Sequence, residues 1–383
     1  MQRIVDFENC SGCHACFNVC PKSCISMKPD GEGFLYPEID NEKCIDCGMC
    51  QKVCPVLTEY KGKSKGSAYA CINKDDETRK NSSSGGMFSL IAEHILSQGG
   101  IVFGAAFDED LSVCHVEINC TDDLHKLRGS KYLQSRIGNT YKKVKVHLEL
   151  GKTVLFSGTP CQISGLITFL GKDYENLLLQ DIICHGVPSP FVWREYLKFR
   201  GNQTGGKAEK ASFRDKSYGW KRYFVKLDFA GGRKYMKPFD KDLFMRAFLN
   251  NLCLRPSCYA CHSKSVERQS DITLADFWGI ENICPELFDN KGTSLMLVNS
   301  PNGQALFDAV KEKMEYREVD FDKAIKNNSS ISVSAKLPPK RDEFMSLIKN
   351  KSFDKAVKKC VFRKKFSQAV RLTKRIVKKV TGK

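Results

Sequence analysis

The sequence contains no apolar run that approaches the roughly 18–20 residues needed to cross a bilayer, so no membrane-spanning helix is predicted. Residues 1–5 also lack the apolar stretch of a secretory signal. The 19 cysteines are an odd number, which, without a signal, argues against a secreted disulfide framework and for reduced thiols. We therefore expect a cytoplasmic protein whose cysteines do not serve as disulfides.

Acidic residues are almost missing from the last part of the chain. Residues 349–383 hold 14 Lys/Arg and one Asp, so they carry +13 of the net charge of +17 and leave +4 for the other 348 residues. A basic, helix-compatible segment of this kind lies on an anionic membrane or on nucleic acid, or stays solvated. Nucleic acid is the least favoured partner because no recognised binding fold accompanies the charge. Peripheral contact with the inner face of the membrane stays open.

One cysteine pattern occurs twice near the N-terminus. Each copy reads C-x2-C-x2-C-x3-C-P, at residues 10–21 and 44–55. This is the bacterial ferredoxin spacing for two [4Fe–4S] clusters, in which the fourth cysteine of each run binds the other cluster. Three thiolates two residues apart wrap one face of a cube, and the proline turns the chain back. The predicted ligand sets are Cys10, Cys13, Cys16 and Cys54 for one cluster, and Cys44, Cys47, Cys50 and Cys20 for the other.

Zinc sites or disulfides are the alternatives for these eight cysteines. Zinc takes four ligands, typically from two short Cys pairs, and two matching runs of four fit that arrangement poorly. The stretch resembles a dicluster ferredoxin, which implies two clusters in series that carry single electrons. Cys24 is a spare thiol of this module and a minor candidate as a ligand.

The rest of the chain shows a mixed α/β pattern after a polar, glycine-containing link at residues 61–66. With 42% hydrophobic residues, a sizeable core is available. We predict an α+β or α/β protein in three parts. These are a small dicluster ferredoxin-like domain at 1–62, a mixed α/β domain at 63–335, and a basic helical tail at 336–383.

Two further cysteines follow predicted strands of the α/β domain. An apolar strand ends just before Cys161, a helix follows at residues 163–170, and a second strand runs from 177 to Cys184. A strand–helix–strand order predicts a right-handed parallel crossover. Because ligands of open α/β sheets bind at the carboxyl edge of the strands, we expect Cys161 and Cys184 to approach each other at that edge.

A later Cys-x2-Cys pair, Cys258 and Cys261, completes a set of four thiolates with Cys161 and Cys184. Zinc and a third [4Fe–4S] cluster both accept four cysteines, so the residues alone leave the metal open. Cys253 is the main rival ligand. The remaining cysteines read as ordinary buried or spare thiols, namely Cys71, Cys114, Cys120, Cys284 and Cys360.

Two short stretches are candidates for contact with a phosphate group. Gly85 and Gly86, preceded by Ser84, stand at the start of a predicted helix, where free backbone amides attract anions. An ordinary capped turn is the alternative. Lys131 is either a phosphate contact or a solvated lysine.

Five motifs together resemble the coenzyme F420 hydrogenase/dehydrogenase beta subunit family over about residues 67–300. They are SSGGMF at 83–88, GTPCQ at 158–162, CHGVPS at 184–189, RPSCYAC at 255–261 and ADFWG at 275–279. The resemblance implies FAD beside a third [4Fe–4S] cluster, which falls on Cys161, Cys184, Cys258 and Cys261. The flavin would lie near Ser84, Gly85, Gly86, Lys131 and Thr159. The chain also resembles members found among bacterial surface-polysaccharide genes, so the family name leaves the substrate open.

These expectations combine into a flavin- and iron–sulfur-dependent oxidoreductase. Ferredoxin-type clusters would take electrons from a donor protein, and the third cluster would relay them to FAD. Hydride would then pass to or from a small organic substrate, deazaflavin-like or a polysaccharide-pathway intermediate. The alternatives are a non-catalytic electron-transfer or adaptor subunit, and an accessory protein docked through its tail. No catalytic acid or base is predicted, although His185 is either a proton donor or a hydrogen-bonding neighbour of the cluster.

Overall fold

The computed structural model describes residues 4–59, 61–63 and 65–361. In this part of the chain, thirteen strands form a two-stranded, a three-stranded and an eight-stranded sheet. The strands are β1 (Ile25–Pro29), β2 (Leu35–Ile39), β3 (Ser67–Asn73), β4 (Ile101–Phe107), β5 (Val113–Ile118), β6 (Val154–Gly158), β7 (Leu177–Ile182), β8 (Ala208–Asp215), β9 (Phe224–Phe229), β10 (Lys234–Pro238), β11 (Ile272–Asp276), β12 (Ser294–Val298) and β13 (Met314–Val319).

Helices connect these strands and cover the large sheet. In the same described residues they are α1 (Ala15–Val19), α2 (Met49–Lys52), α3 (Asp76–Asn81), α4 (Met87–Ser97), α5 (Leu124–Leu127), α6 (Thr140–Glu149), α7 (Pro160–Leu170), α8 (Pro190–Thr204), α9 (Leu243–Leu249), α10 (Pro301–Val310), α11 (Phe321–Ile325), α12 (Arg341–Asn350) and α13 (Phe353–Cys360). No helix among them combines the length and the apolar character that spanning a bilayer requires.

The N-terminal module pairs one hairpin with two very short helices. Strands β1 and β2 are antiparallel, with Ile25 opposite Ile39. Helices α1 and α2 lie within the two cysteine runs, and each begins after a residue in the left-handed region, His14 (φ 66°) and Gly48 (φ 70°). The left-handed residue bends the chain sharply between successive cysteines, which lets one loop present several thiols to one point.

The eight-stranded sheet has the order β13-β3-β12-β11-β7-β6-β4-β5. Strands β4, β6, β7 and β11 run parallel, and β3 points the same way because β3 and β11 are both antiparallel to β12. The carboxyl ends of these five strands therefore meet at one edge, which we call the carboxyl edge. The predicted mixed α/β fold and the parallel β6–β7 crossover are confirmed.

The two faces of this sheet are buried under different helices. Residues such as Val102 and Leu155 pack with α4 and α10, while their chain neighbours Phe103 and Phe156 pack with α6 and α7. A strand that is buried on both faces reads as a continuous apolar run, which is the pattern of β4 and β6. Helix α7 begins with a capping box between Thr159 and Gln162, so its first turn is fixed at the carboxyl edge.

Helices α12 and α13, whose residues the sequence analysis assigned to the basic tail, pack against the rest of the protein. Phe344 of α12 and Phe353 of α13 join the apolar core around Trp193 of α8. Arg341 of α12 forms an ion pair with Glu32 in the hairpin loop of the module. Residues up to 361 thus belong to the packed body, although their charge pattern predicted a separate basic segment. The rest of the predicted tail, 362–383, lies outside the described residues, and so does the proposed membrane contact.

Candidate functional site

Cys10, Cys13, Cys16 and Cys54, which we call the inner thiol set, converge in the N-terminal module. All four line one cavity. Burial raises the pKa of Cys13 to about 12 and raises that of Cys16 as well, and the neighbouring thiols of the set add to both shifts. The structure therefore brings together three cysteines of the first run and the last cysteine of the second.

Cys20, Cys44, Cys47 and Cys50, the outer thiol set, line a separate cavity of about 160 Å³. Cys47 is exposed and Cys44 and Cys50 are half-buried, so this set lies nearer to solvent than the inner set. The spare Cys24 lines the same cavity, and its Sγ lies 3.3 Å from the Sγ of Cys20. The outer cavity is thus surrounded by five thiols.

The donor chemistry of these sets fits iron–sulfur clusters. Within the described residues, no three His, Cys, Asp or Glu side chains meet closely enough to hold a single metal ion. A four-iron core is larger than one ion, so its sulfur ligands stand further apart. Buried thiols with raised pKa values keep their protons until a cationic core replaces them. Two groups of four cysteines, each around its own cavity, are what two [4Fe–4S] clusters need.

The third thiol set, Cys161, Cys184, Cys258 and Cys261, gathers at the carboxyl edge. Cys161 lies in the first turn of α7 and Cys184 follows β7, while Cys258 lies in the short 3-10 helix Pro256–Ala260. Burial raises the pKa of Cys161, and the three other thiols of the set raise it further. The predicted approach of Cys161 to Cys184 is therefore found, with the Cys-x2-Cys pair beside them.

The inner and third thiol sets are neighbours across α7. The Tyr141 hydroxyl donates to the backbone oxygen of Gln162, 2.7 Å away. Burial raises the pKa of Tyr141, and the charges that act on it come from Cys13, Cys161 and Cys16. This buried phenol thus lies between the two sets.

Cys253 and His185, the two further candidates for this region, have neighbours other than the third thiol set. Burial raises the pKa of Cys253 to about 12, and its charged neighbours are Arg341 and Glu32, so this rival ligand lies apart from the set. The His185 Nε2 atom is 2.7 Å from Asn251 Oδ1. Its ring is therefore held by a hydrogen bond to Asn251, and both predicted roles of His185 stay predictions.

Sequence reasoning missed Lys264, a cation beside the third set. Its ammonium donates to the backbone oxygens of Cys184 and Ser330. Burial raises the pKa of Cys184, and the charge of Lys264 opposes that shift. The position of Lys264, three residues after Cys261, is the signal that could have drawn attention to it.

The predicted phosphate loop lies at the carboxyl edge, packed against β12. Ser84 Oγ donates to the backbone oxygen of Thr293, and the Gly85 amide donates to Ser294 Oγ at 2.9 Å. Gly86 adopts φ 90° and begins α4. The Gly85 amide is therefore already hydrogen-bonded, as the capped-turn alternative predicts. The backbone amides from Gly86 into the first turn of α4 stay the predicted phosphate contacts.

Lys131 is neither freely solvated nor free to clamp a phosphate. Its ammonium donates to the backbone oxygens of Leu127, Arg128 and Gly129 at 3.1–3.2 Å, and burial lowers its pKa to about 7. A lysine ammonium has three protons, so a phosphate would have to displace one of these bonds. Thr159 is also engaged, because its hydroxyl is 3.1 Å from Gln162 Oε1 and 3.2 Å from Cys161 Sγ.

Arg214 was not predicted, although it joins the phosphate loop to an aromatic wall. Its guanidinium donates to Ser83 O and to Tyr132 Oη and pairs with Asp276 at 2.8 Å. The guanidinium lies 5.5 Å from the ring of Trp278. The wall continues toward Cys184 through two ring contacts, a tilted one between Tyr132 and Phe248 and an edge-on one between Phe248 and His185.

Comparison with known proteins agrees with these arrangements. Residues 151–324 match the family described as the C terminus of the coenzyme F420 hydrogenase/dehydrogenase beta subunit, and residues 9–57 match the 4Fe-4S dicluster domain. The motif at residues 83–88 lies outside both matched stretches. No curated protein matches the chain significantly.

Among solved structures, the chain is similar to a chain of the F420-reducing [NiFe] hydrogenase complex from Methanosarcina barkeri, in a xenon-derivatization study. The identity is 17%, the coverage is 79% of this chain and 93% of that chain, and the TM-score is 0.47. The two family matches identify an iron–sulfur protein of a redox family, and the predicted resemblance is confirmed. Residues 151–324 therefore match the C-terminal domain of the coenzyme F420 hydrogenase/dehydrogenase beta subunit family, and a 4Fe-4S dicluster domain stands ahead of them in the chain.

Proposed function

We propose that this protein is an iron–sulfur flavoprotein oxidoreductase that passes electrons from its ferredoxin-type clusters through a third cluster to FAD, and on to or from an organic hydride acceptor. One observation carries the proposal. The third thiol set lies between the inner thiol set on one side and the aromatic wall with the phosphate loop on the other. This is the order in which a relay would use the three sites.

The relay would begin at the outer thiol set, because Cys47 is exposed and a donor protein can approach it there. The inner set comes next, since Cys13 packs against Gly165 of α7, the helix that carries Cys161 in its first turn. The protein's part is to hold the three sites in this sequence and to keep water from the buried ones. Lys264 would hold the Cys184 loop in place by bonding its backbone.

Bound FAD would supply the conversion between one-electron and two-electron chemistry. The residues of this chain would bind and orient it. The start of α4 after Gly86 offers backbone amides to a phosphate, and Arg214 would hold the loop through Ser83. Trp278 and Tyr132, both beside Arg214, provide flat surfaces, which suits an isoalloxazine ring. The acceptor would be deazaflavin-like or a polysaccharide-pathway intermediate.

Iron and flavin analysis after strictly anaerobic purification tests the proposal. About 12 iron per chain, from three four-iron clusters, with one FAD is the expected result. About 8 iron without flavin would overturn it and favour an electron-transfer or adaptor subunit. About 8 iron with one zinc would show that the third thiol set binds zinc, the other metal that accepts four cysteines, instead of a third cluster.

A pair of cysteine variants tests the relay itself. We expect Cys161→Ser to stop reduction of the flavin while both ferredoxin clusters stay visible by electron paramagnetic resonance. The matched control is Cys253→Ser, because Cys253 is a buried thiol whose charged neighbours are Arg341 and Glu32 and not the third set. Normal flavin reduction in Cys161→Ser would remove the third cluster from the path.

The basic segment adds a proposed membrane contact that is independent of the redox proposal. Deletion of residues 362–383 should abolish co-sedimentation with vesicles that contain anionic lipid and should leave binding to neutral vesicles unchanged. Equal sedimentation of the full chain with both kinds of vesicle would remove this contact.

A further inference from the structure

Arg255 differs from the other buried arginines of the described residues. The side chain is fully buried, at 0% exposure, and no carboxylate of that part of the chain lies within ion-pair distance of it. The five other buried arginines all have an acidic partner, namely Arg79 with Asp289, Arg200 with Asp242, Arg214 with Asp276, Arg268 with Asp181 and Arg341 with Glu32.

The guanidinium of Arg255 is directed at the inner thiol set. Its Nε donates to the backbone oxygen of Cys10 at 2.7 Å, and its Nη2 lies 3.7 Å from Cys10 Sγ. Further bonds reach Leu35 O and Gln134 Oε1, both at 2.9 Å. The Tyr36 ring, 4.2 Å from the guanidinium carbon, covers one of its faces.

The chain leaves no space for Arg255 to move away. A Cβ atom at Gly12 would stand 2.8 Å from Nη1 of Arg255, and Gly12 has φ 66°. Glycine is therefore required there both by its conformation and by the guanidinium packed against it. The first cysteine run thus has glycine at the position against which the guanidinium of Arg255 packs.

A buried cation without an anion is strongly destabilising. A [4Fe–4S] core held by four thiolates carries net negative charge, and the inner cluster is the group that can balance Arg255. The outer thiol set has a different surrounding. Cys44 Sγ lies 3.8 Å from the carboxylate of Asp46, and the cation that lines its cavity is the exposed Lys22.

We propose that Arg255 is the counter-charge of the inner cluster and raises its reduction potential above that of the outer cluster. Reduction adds an electron and makes a cluster more negative, so a fixed cation favours the reduced form and a nearby carboxylate disfavours it. Electrons that enter at the outer cluster would then move inward. This part of the relay rests on the two ferredoxin clusters and needs neither the third cluster nor a flavin.

Arg255 also connects this site to the third thiol set. It precedes the 3-10 helix that carries Cys258, and the Cys258 amide donates to the backbone oxygen of Arg255 at 2.9 Å. One residue therefore contacts the inner thiol set by its side chain and the third set by its backbone. Arg255 is a positioning residue as well as a charge, and the test must separate the two roles.

Potentiometric titration of the anaerobic protein, followed by electron paramagnetic resonance, separates them. In Arg255→Gln the inner cluster should shift to a lower potential while the outer cluster keeps its own. Arg255→Lys retains the charge and should stay close to the native potential. The control Arg341→Gln removes a buried cation from the same junction without touching a thiol and should shift neither cluster. Repeating the titrations in Cys44→Ser/Cys47→Ser, which keeps the inner set, assigns the shifted signal.

Three results would overturn the proposal. In the first, Arg255→Gln holds both clusters at unchanged potentials. In the second, the Lys variant falls as far as the Gln variant, so charge is not the cause. In the third, both variants lose the inner cluster, which would make Arg255 purely structural. The flavin relay fails by a different observation, the absence of flavin or of the third cluster, so the two outcomes stay distinguishable.

Discussion

Gly165 lies directly against Cys13, so that a Cβ atom on Gly165 would stand 2.9 Å from the Cβ of Cys13 and 3.0 Å from its Sγ. The Tyr141 hydroxyl would be equally close, at 2.9 Å. Helix α7 can thus approach the inner thiol set only because this position has no side chain. The residue that brings the inner and third thiol sets together is the smallest one in the helix.

We expect Gly165→Ala to push α7 away from the inner thiol set. Overpacking of this kind costs about 1–3 kcal/mol, and the iron content should fall toward the value without the inner cluster. Gly104→Ala is the matched control, because its added Cβ meets the movable Leu127 side chain at 3.2 Å. Urea unfolding and iron analysis of both variants check the prediction, and an unchanged Gly165→Ala protein would contradict it.

Replacing Asp276 should destabilise the carboxyl edge. Asp276 accepts bonds from Arg214 and from Trp220 Nε1, and the Arg214 side chain is only 3% exposed. Asp276→Asn leaves that buried charge unpaired, so we expect a loss of about 3 kcal/mol in the free energy of unfolding. Asp110→Asn breaks an exposed pair with Lys207 and should cost less than about 1 kcal/mol. Equal losses in urea unfolding would refute the argument.

His115 should make the fold weaker in mild acid. Its ring is buried between Ser135 Oγ, 2.7 Å away, and the backbone oxygen of Ser157, and burial lowers its pKa from 6.5 to about 4. Between these pH values the unfolded chain binds a proton that the folded chain does not, so stability falls as the pH falls through this window. The full effect is about 3 kcal/mol. His115→Asn should remove it, so parallel pH curves for the two proteins would exclude this origin.

Cys24 should be dispensable while Cys20 is present. The Sγ atoms of Cys20 and Cys24 lie 3.3 Å apart, but only Cys20 belongs to a four-cysteine run with the ferredoxin spacing. We therefore expect Cys24→Ser to keep about 8 iron in the two ferredoxin clusters. Cys20→Ser/Cys24→Ser should lose about four of these. Loss of iron from Cys24→Ser alone would make Cys24 the ligand in place of Cys20.

Cysteine spacing and strand order were enough to predict which thiols meet. The spacing of a cysteine run and the geometry of a parallel crossover are determined by short stretches of sequence. They predict that Cys54 lies near Cys10 and Cys184 near Cys161 without information from the rest of the chain. Lys131 was predicted as a phosphate contact or a solvated lysine, but its ammonium binds three backbone oxygens. The direction of a backbone carbonyl cannot be inferred from the residue types alone, so these bonds could not be predicted.

Arg255, Arg341 and Gly165 could not be found in this way. Arg255 meets Cys10 across 245 positions and Arg341 meets Glu32 across 309, and such pairs depend on how the module docks. The same docking explains the packed helices α12 and α13. Their apolar positions, including Phe344 and Phe353, face the main core, while the lysines that dominated the sequence pattern face away from it.

The ion pair between Arg341 and Glu32 has a consequence for the order of synthesis. The eight thiols of the N-terminal module leave the ribosome well before Gly165 and Arg255, which contact the inner set, and before Arg341, which pairs with Glu32 of the module. Iron and sulfide can thus reach the module while most of the chain is still being made. Docking after loading would close Arg255 over a cluster, whereas a module that remained empty would offer Arg255 no anion.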